Sequence, residues 1–139
     1  MTFKASNIQT PEQLFVLAQA IYDFLKIDVS DEIEGSVRRG HELTAYMANT
    51  GKMLADAKYW KDQEMRNSVL FSLKDSKRCG LPASTLNELI KADCKEINYL
   101  VVWIEQLDKE AKYQLEWLRT VVSKQKEEMR MSGYSNQNI

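Results

Sequence analysis

The sequence predicts an all-α protein, an antiparallel hairpin of two long helices with a shorter N-terminal helix packed on it, assembled into an oligomeric helical bundle. Three observations favour this fold. Apolar residues recur at helical spacing along most of the chain, only five glycines and two prolines occur in 139 residues, and the last long segment repeats its apolar residues every seven positions. At this length we expect one domain, residues 1–139.

The first helix is expected over residues 11–26. Thr10 is a suitable N-cap, Pro11 fits the first helical position and Gln13 completes a capping box. Phe15 and Tyr22 broaden the apolar stripe of this helix, so it should pack on a larger surface. The stripe consists of Leu14, Leu17, Ala18, Ile21, Phe24 and Leu25.

The second helix is expected over residues 31–78, capped by Ser30 or Asp31, either unbroken or broken near residues 35–40. Small residues recur in it at intervals of three or four and should form one seam where the third helix approaches closely. On this reading, leucine in place of Gly51 would overpack the two helices. The small residues are Gly40, Thr44, Ala48, Gly51 and Ala55, and the recurring apolar residues are Leu43, Met47, Leu54, Met65, Val69 and Leu73.

The third helix is expected over residues 84–131, after a turn in which Gly80 fits the left-handed C′ position and Ser84 or Thr85 provides the next cap. The remaining residues, 132–139, should form a frayed tail. A heptad seam runs along this helix through Ile90, Ile97, Ile104, Ala111 and Leu118. Folding back at Leu81 pairs large residues with small ones: Leu107 with Ala55, Ala111 with Gly51, Leu118 with Thr44 and Val122 with Gly40.

Composition excludes several classes of function. With 19 basic and 20 acidic side chains the net charge is -1, so no global field attracts nucleic acid or a membrane surface. One histidine and two cysteines cannot supply a four-ligand zinc site or a di-iron bundle, and we expect no cofactor or metal. The longest apolar run, Tyr99–Ile104, is far short of the ~20 residues that span a bilayer, and Met1–Thr10 lacks the features of a signal peptide. We expect a cytoplasmic protein with free thiols.

An aromatic band should remain on the third helix after the core is filled. It consists of Trp103, Tyr113 and Trp117. The first helix could bury this band as ordinary core, or the band could form a homo-oligomer interface. We favour the interface, because exposed aromatic bands of this extent are uncommon on monomers.

A second set of residues combines cationic and aromatic side chains. Arginine forks suit phosphates and aromatic faces suit bases, so these residues are candidates for a cyclic or linear nucleotide. A solvated helix face with an Asp62–Arg66 pair is the simpler interpretation. Because Arg38 and Arg66 lie about 42 Å apart on a straight helix, one small ligand cannot contact both unless the site spans two subunits or only part of the set binds. The candidates are Arg38, Arg39, Lys58, Tyr59, Trp60 and Arg66.

No catalytic residue is expected. The sequence lacks a phosphate-binding glycine loop, a G-x-S-x-G elbow and an H-E-x-x-H motif. His41 should be a surface residue, Cys94 a small core residue and Cys79 a turn residue, with no base to activate either thiol. We therefore expect a protein that is not an enzyme.

Four stretches resemble small helical proteins encoded by phages and mobile elements of gut bacteria. They are Leu81-Pro82-Ala83-Ser84-Thr85-Leu86, Asn98-Tyr99-Leu100-Val101, Gln114-Leu115-Glu116-Trp117-Leu118-Arg119-Thr120 and Lys126-Glu127-Glu128-Met129. The resemblance covers about the last 60 residues and residues 51–62. It implies a protein of the bacterial host's cytoplasm that acts by stoichiometric binding.

On this resemblance we expect a non-enzymatic oligomeric binding protein that sequesters a host defence factor or a small anionic nucleotide signal. The alternative is an accessory protein for single-stranded nucleic acid in phage recombination or replication. The charges of the third helix alternate in sign, as in Lys109-Glu110, which argues against a nucleic-acid groove.

Overall fold

A computed structural model of the chain describes residues 7–30 and 32–137. Within these residues the chain forms four helices and no strand, which confirms the all-α prediction. The helices are α1 (Pro11–Leu25), α2 (Ile33–Lys74), α3 (Ala83–Asp93) and α4 (Lys95–Gln137). None of these helices combines the length and the apolar character needed to cross a lipid bilayer.

Helix α1 begins as its sequence predicts. The Thr10 backbone N–H donates to Gln13 Oε1 at 3.0 Å, and the Gln13 backbone N–H donates to Thr10 Oγ1 at 3.3 Å, which completes the capping box. One stripe of α1 is buried against α2 and α4, although Leu17 is exposed. The buried residues are Leu14, Ala18, Ile21 and Leu25.

Helix α2 is unbroken through residues 35–40. Its N-cap, Glu32, makes no side-chain capping bond, and Asp31 lies outside the described residues. Ser30 Oγ accepts the Glu32 backbone N–H at 3.2 Å. A Cβ on Gly35 would lie 2.5 Å from Ser30 Cβ, so glycine is needed here for the close approach of the chain before the helix.

The inner face of α2 is largely polar, which the sequence pattern did not predict. The buried polar residues of this helix are Ser36, Arg39, Thr50, Asp56, Ser68 and Ser72. Several of them bond to other helices, as when Thr50 Oγ1 donates to Asp108 Oδ1 of α4 at 2.7 Å. The apolar residues expected inside, Met65, Val69 and Leu73, are exposed instead.

The predicted seam of small residues is wrong. Thr44, Ala48, Gly51 and Ala55 are exposed, and a Cβ on Gly51 would meet nothing within 4 Å. Gly40 does approach α4, since its Cβ would lie 3.8 Å from Leu115 Cδ1. The cause is that α2 turns its hydrogen-bonding residues toward α4, which leaves most of the small residues on the open side.

Helices α2 and α4 run antiparallel, in a register that drifts from the predicted one. Lys58 lies opposite Glu105, close to its expected level. Thr50 contacts residue 108 rather than 112, and Gly40 contacts residue 115 rather than 122. Helix α2 itself ends at Lys74, four residues before the predicted end.

The early end of α2 also changes the role of the turn. The Asp75 backbone N–H closes the last turn of α2 on the Phe71 carbonyl at 2.9 Å. Gly80 therefore lies in the loop beyond the cap and has no positive φ, contrary to the prediction of a left-handed C′ glycine.

The predicted third helix, residues 84–131, consists of α3 and α4, separated at Cys94 (φ -99°, ψ 13°). The side chain of the preceding residue, Asp93, accepts hydrogen bonds from Ser68 of α2 and from Arg78 of the loop after α2. The bond from Ser68 connects α3 to α2 next to the break. Helix α3 starts before Ser84 and Thr85, because Pro82 already occupies the N-cap position. Neither of those two residues caps the helix.

Helix α4 continues to Gln137, so the prediction of a frayed tail from residue 132 is wrong for 132–137; residues 138–139 lie outside the described range. Its inner face confirms the predicted heptad seam from Ile97 onward, with Ile97, Ile104, Ala111 and Leu118 buried. The first predicted member, Ile90, lies on α3 and is only partly buried. Residues 126–133 are exposed and extend past the start of α2.

Candidate functional site

Arg39 lies at the junction of α1, α2 and α4 and is only 6% exposed. Its Nη2 donates to Gln114 Oε1 at 3.0 Å, and its guanidinium lies 3.9 Å from the ring centre of Phe24. Gln114 Nε2 in turn donates to the carbonyl of Leu25, the last residue of α1, at 2.9 Å. Burial lowers the pKa of Arg39, although nearby Glu42 opposes this. Arg39 thus joins three helices and is not offered to a ligand in solution.

Trp60 anchors the segment that precedes α1. Trp60 Nε1 donates to the Gln9 carbonyl at 2.7 Å, which uses the one N–H donor of the indole. The Tyr59 ring meets Trp60 edge-to-face, with centroids 5.3 Å apart. The neighbouring candidate residue, Lys58, is exposed, and its Nζ lies 3.9 Å from Glu105 Oε1.

Arg38 and Arg66 are exposed on α2, near its two ends. Along a straight helix they are about 42 Å apart. The six candidate ligand-binding residues therefore do not converge on one site within a chain. Arg39 and Trp60 serve the internal packing of α1, and the remaining cations are distributed along the surface of α2.

A cluster of four aromatic rings is centred on Trp103, where α1 crosses the outer side of α4. The ring centroid of Trp103 lies 5.3 Å from that of Phe15, 6.2 Å from that of Tyr22 and 6.1 Å from that of Tyr99. Trp103 is half-buried by these contacts, whereas the other three rings are exposed. Aromatic pairs in this range contribute beyond their area alone.

Tyr113 and Trp117 continue this surface along α4, beyond the end of α1. They are four residues apart on one side of the helix, and Trp117 is 67% exposed. Val102 lies on the same side and is also exposed. We call this surface the aromatic face and define it as Phe15, Tyr22, Tyr99, Val102, Trp103, Tyr113 and Trp117.

The sequence identified three members of the aromatic face and missed four. Trp103 is partly covered by α1, while Tyr113 and Trp117 are not. Phe15 and Tyr22 were assigned to the broadened stripe of the first helix, but their spacing of seven places them on one side of it. That spacing is the signal that could have joined them to the aromatic face.

The aromatic face is large for a monomer. An aromatic side chain contributes about 150–250 Å², so at the observed exposures the face presents on the order of 600 Å² of apolar surface. This equals the upper end of the largest patch on a typical monomer, about 300–600 Å², and such patches are often functional. A standard protein interface covers about 800 Å² per partner. The aromatic face and a polar rim around it would together provide this area.

The surface between α1 and α4 also has a depression beside Trp103. Its volume is ≈ 370 Å³, and its lining residues are Tyr22, Leu25, Lys26, Trp103, Gln106, Leu107 and Glu110. The aromatic face therefore combines exposed rings at Tyr113 and Trp117 with a concave area beside Trp103.

A second exposed apolar patch lies at the end of α2. It is mostly aliphatic and consists of Met65, Val69, Leu70, Phe71 and Leu73. The guanidinium of Arg78 lies 5.0 Å from the ring centre of Phe71 and so covers part of it. This patch is the natural comparison for the aromatic face in experiments.

Two carboxylates inside the interhelical contacts have pKa values below the usual range. Arg78 Nη1 and Ser68 Oγ donate to Asp93 Oδ2 at 2.7 and 2.6 Å, and these bonds lower the pKa of Asp93. Burial would raise the pKa of Asp108, but hydrogen bonds from Lys112 and Thr50 outweigh it and lower the pKa. Both carboxylates are therefore structural ion-pair or hydrogen-bond partners at pH 7.

His41 is exposed, Cys79 is an exposed free thiol and Cys94 a buried one. Burial raises the pKa of the Cys94 thiol. Across residues 7–30 and 32–137, no three His, Cys, Asp or Glu side chains are grouped so as to hold a metal ion.

Neither a protein family, nor a curated protein, nor a solved structure matches this chain.

Proposed function

We propose that the protein is a non-enzymatic binding protein that works as a homo-oligomer and associates through its aromatic face. The observation that carries the proposal is the exposure of this face, on the order of 600 Å² of apolar surface on one side of α1 and α4. Tyrosine and tryptophan dominate the energetics of protein interfaces. A surface of this composition is therefore suited to a protein partner.

The assembled protein sequesters another protein, a host factor in the bacterial cytoplasm of the kind that its phage-like sequence implies. A small anionic nucleotide has less support within one chain, since Arg39 is buried and Arg38 and Arg66 are far apart. Calorimetric titration with cyclic and linear nucleotides separates the two versions. If the parent protein gives a heat of binding that the Arg38→Ala variant lacks, the nucleotide is favoured. If the parent gives no heat with any nucleotide, the protein factor is favoured.

Native mass spectrometry of the purified protein tests the proposal directly. We expect a species of at least twice the 16.1 kDa chain mass. The double variant Tyr113→Glu/Trp117→Glu should appear as a monomer with unchanged helical circular dichroism, because both side chains are exposed in the chain and contribute little to its core. A double variant that keeps the mass of the parent would contradict the proposal.

Leu73→Glu is the matched control. Leu73 has the same 67% exposure as Trp117 but lies in the other apolar patch. This variant should retain the parental mass. If it becomes a monomer while the double variant does not, the patch at the end of α2 is the interface and the aromatic face is not.

A further inference from the structure

The spacing of the aromatic face along α4 has a twofold pattern. Tyr99 and Trp117 are 18 residues apart, which is five helical turns, so they lie on one line along the helix. Val102 and Tyr113 are 11 residues apart, about three turns, so they share a second line. The midpoint of each pair falls at about residue 108.

A twofold interface between antiparallel helices requires this pattern. In such an interface residue i of one copy contacts residue j of the other, and j contacts i. Contacting residues must therefore share a line along the helix and a common midpoint, which is the level of the twofold axis. Both pairs meet the two conditions together.

We infer that two copies of this chain pack antiparallel through the outer sides of α4, with a twofold axis at the level of residue 108. Tyr99 then contacts Trp117 of the second copy, and Val102 contacts Tyr113, each twice. This inference rests on the proposed function and specifies the geometry of its self-association. The second copy is the occupant because the face is complementary to itself.

The region around the axis fits this arrangement. The depression between α1 and α4 opens beside Trp103 and Gln106, close to the level of residue 108. Each copy thus presents exposed rings at one end of its face and a concave area near the middle. Shape complementarity of this kind is typical of stable interfaces.

The exposed end of α4 provides an independent reason. Residues 126–130 are helical and exposed and extend past the start of α2. An exposed helical segment gains little from packing, which supplies most helical stability in proteins. In an antiparallel pair centred on residue 108, this segment lies beside α3 of the second copy, which begins at Ala83.

The area is in the range of a stable pair. Each copy contributes on the order of 600 Å² of apolar surface from the aromatic face, so two copies provide about 1,200 Å². This is the lower bound of the roughly 1,200–2,000 Å² that specific interfaces bury, and the end of α4 and the polar residues around the face add to it.

Spin labels on α4 test the axis and the direction. Cys79→Ser removes the exposed thiol, and Cys94, 1% exposed, is protected by burial. Labels are placed on Lys109→Cys and, separately, on Lys124→Cys, two exposed positions whose replacement leaves the core intact. Double electron–electron resonance, together with continuous-wave line broadening for short distances, measures the separation of each label from its twin.

For the proposed antiparallel pair the twin separation grows by about 3 Å for each residue away from the axis. We expect strong short-range coupling, under about 20 Å, at position 109 and a separation of about 50 Å at position 124. The Cys79→Ser parent, labelled in the same way, should give no signal.

Equal separations at the two positions would indicate a parallel pair, and long separations at both would indicate another surface. Either result overturns the antiparallel geometry and leaves self-association in place. Absence of coupling at both positions, in a sample whose mass is that of a monomer, overturns the geometry together with the proposed function.

Discussion

The inner and outer faces of α4 are both apolar, yet the structure treats them differently. The inner face buries Ile97, Ile104, Ala111 and Leu118 against α1 and α2. The outer face carries larger side chains, and α1 covers it only around Trp103. Apolar spacing along a helix therefore identifies which residues share a face, whereas the area of neighbouring helices decides which face is buried.

Helix α2 shows a related contrast. Its inner face buries serine, threonine, arginine and aspartate together with Leu43, Met53 and Ala57, while its outer face exposes Met65, Val69 and Leu73. Each buried polar group is costly unless it is hydrogen-bonded. The bonds from Thr50 to Asp108 and from Ser68 to Asp93 meet this requirement and fix the helix in one rotation.

The largest effect is expected from the inner face of α4. Ile104 is fully buried, so Ile104→Ala should lower the free energy of unfolding by about 2–5 kcal/mol. The outer-face control Val102→Ala removes a half-exposed side chain and should change chain stability by less than about 0.5 kcal/mol. Urea unfolding at a concentration where each protein is monomeric measures both. Equal losses would show that the two faces are not distinct.

Two adjacent arginines of α2 should differ in their contribution to stability. Arg39→Ala leaves Gln114 without its donor and removes the contact with Phe24, so it should cost about 1–3 kcal/mol. Arg38→Ala changes an exposed side chain and should be nearly neutral. Thermal unfolding distinguishes them. If Arg39→Ala unfolds at the parental temperature, the junction of three helices does not depend on this residue.

Two glycines of α2 should respond to alanine with opposite signs. At Gly51 the new Cβ meets nothing within 4 Å, so Gly51→Ala should stabilise the helix by up to about 1 kcal/mol. At Gly35 the Cβ would lie 2.5 Å from Ser30 Cβ, and Gly35→Ala should destabilise by about 1 kcal/mol or more. Circular dichroism melts check the signs. A lower melting temperature of Gly51→Ala would instead support the predicted seam of small residues.

The smallest effect is expected from Asp93, which connects α3 to α2 at the surface of the protein. Hydrogen bonds from Arg78 and Ser68 lower the folded pKa of Asp93, so its stabilisation is present above the unfolded value of about 3.9. It is lost as the pH falls through the folded pKa. Asp93→Asn should therefore be less stable than the parent at pH 7, with a difference that shrinks below about pH 4. A difference independent of pH would contradict this role.

Those parts of the fold that depend on local sequence could be predicted, and those that depend on distant contacts could not. The heptad of α4 and the capping box of α1 were predictable because apolar period and capping chemistry are local. The rotation of α2 was not, since it depends on hydrogen bonds to residues far along the chain, such as Thr50 to Asp108. The hydrogen bonds of Arg78 and Ser68 to Asp93, the residue before the break at Cys94, likewise join residues that no local pattern connects.

The candidate sites were predictable to different degrees for a related reason. Tyr113 and Trp117 were identified because their size and spacing mark one side of a helix. The sequence predicts ligand binding for Arg39 and Trp60, because their actual partners, Gln114 and the Gln9 carbonyl, are distant in sequence. Sequence pattern identifies which residues could bind, and tertiary contacts decide which are already engaged.

Sedimentation equilibrium of the unmodified protein over a micromolar concentration series measures whether copies of the chain associate through the outer face of α4. If the outer face of α4 is an interface between copies, the fitted mass should be twice 16.1 kDa or more and should fall toward the chain mass on dilution. A mass of 16.1 kDa across the whole series would contradict the account, because the aromatic face would then be exposed to water with no second copy to cover it.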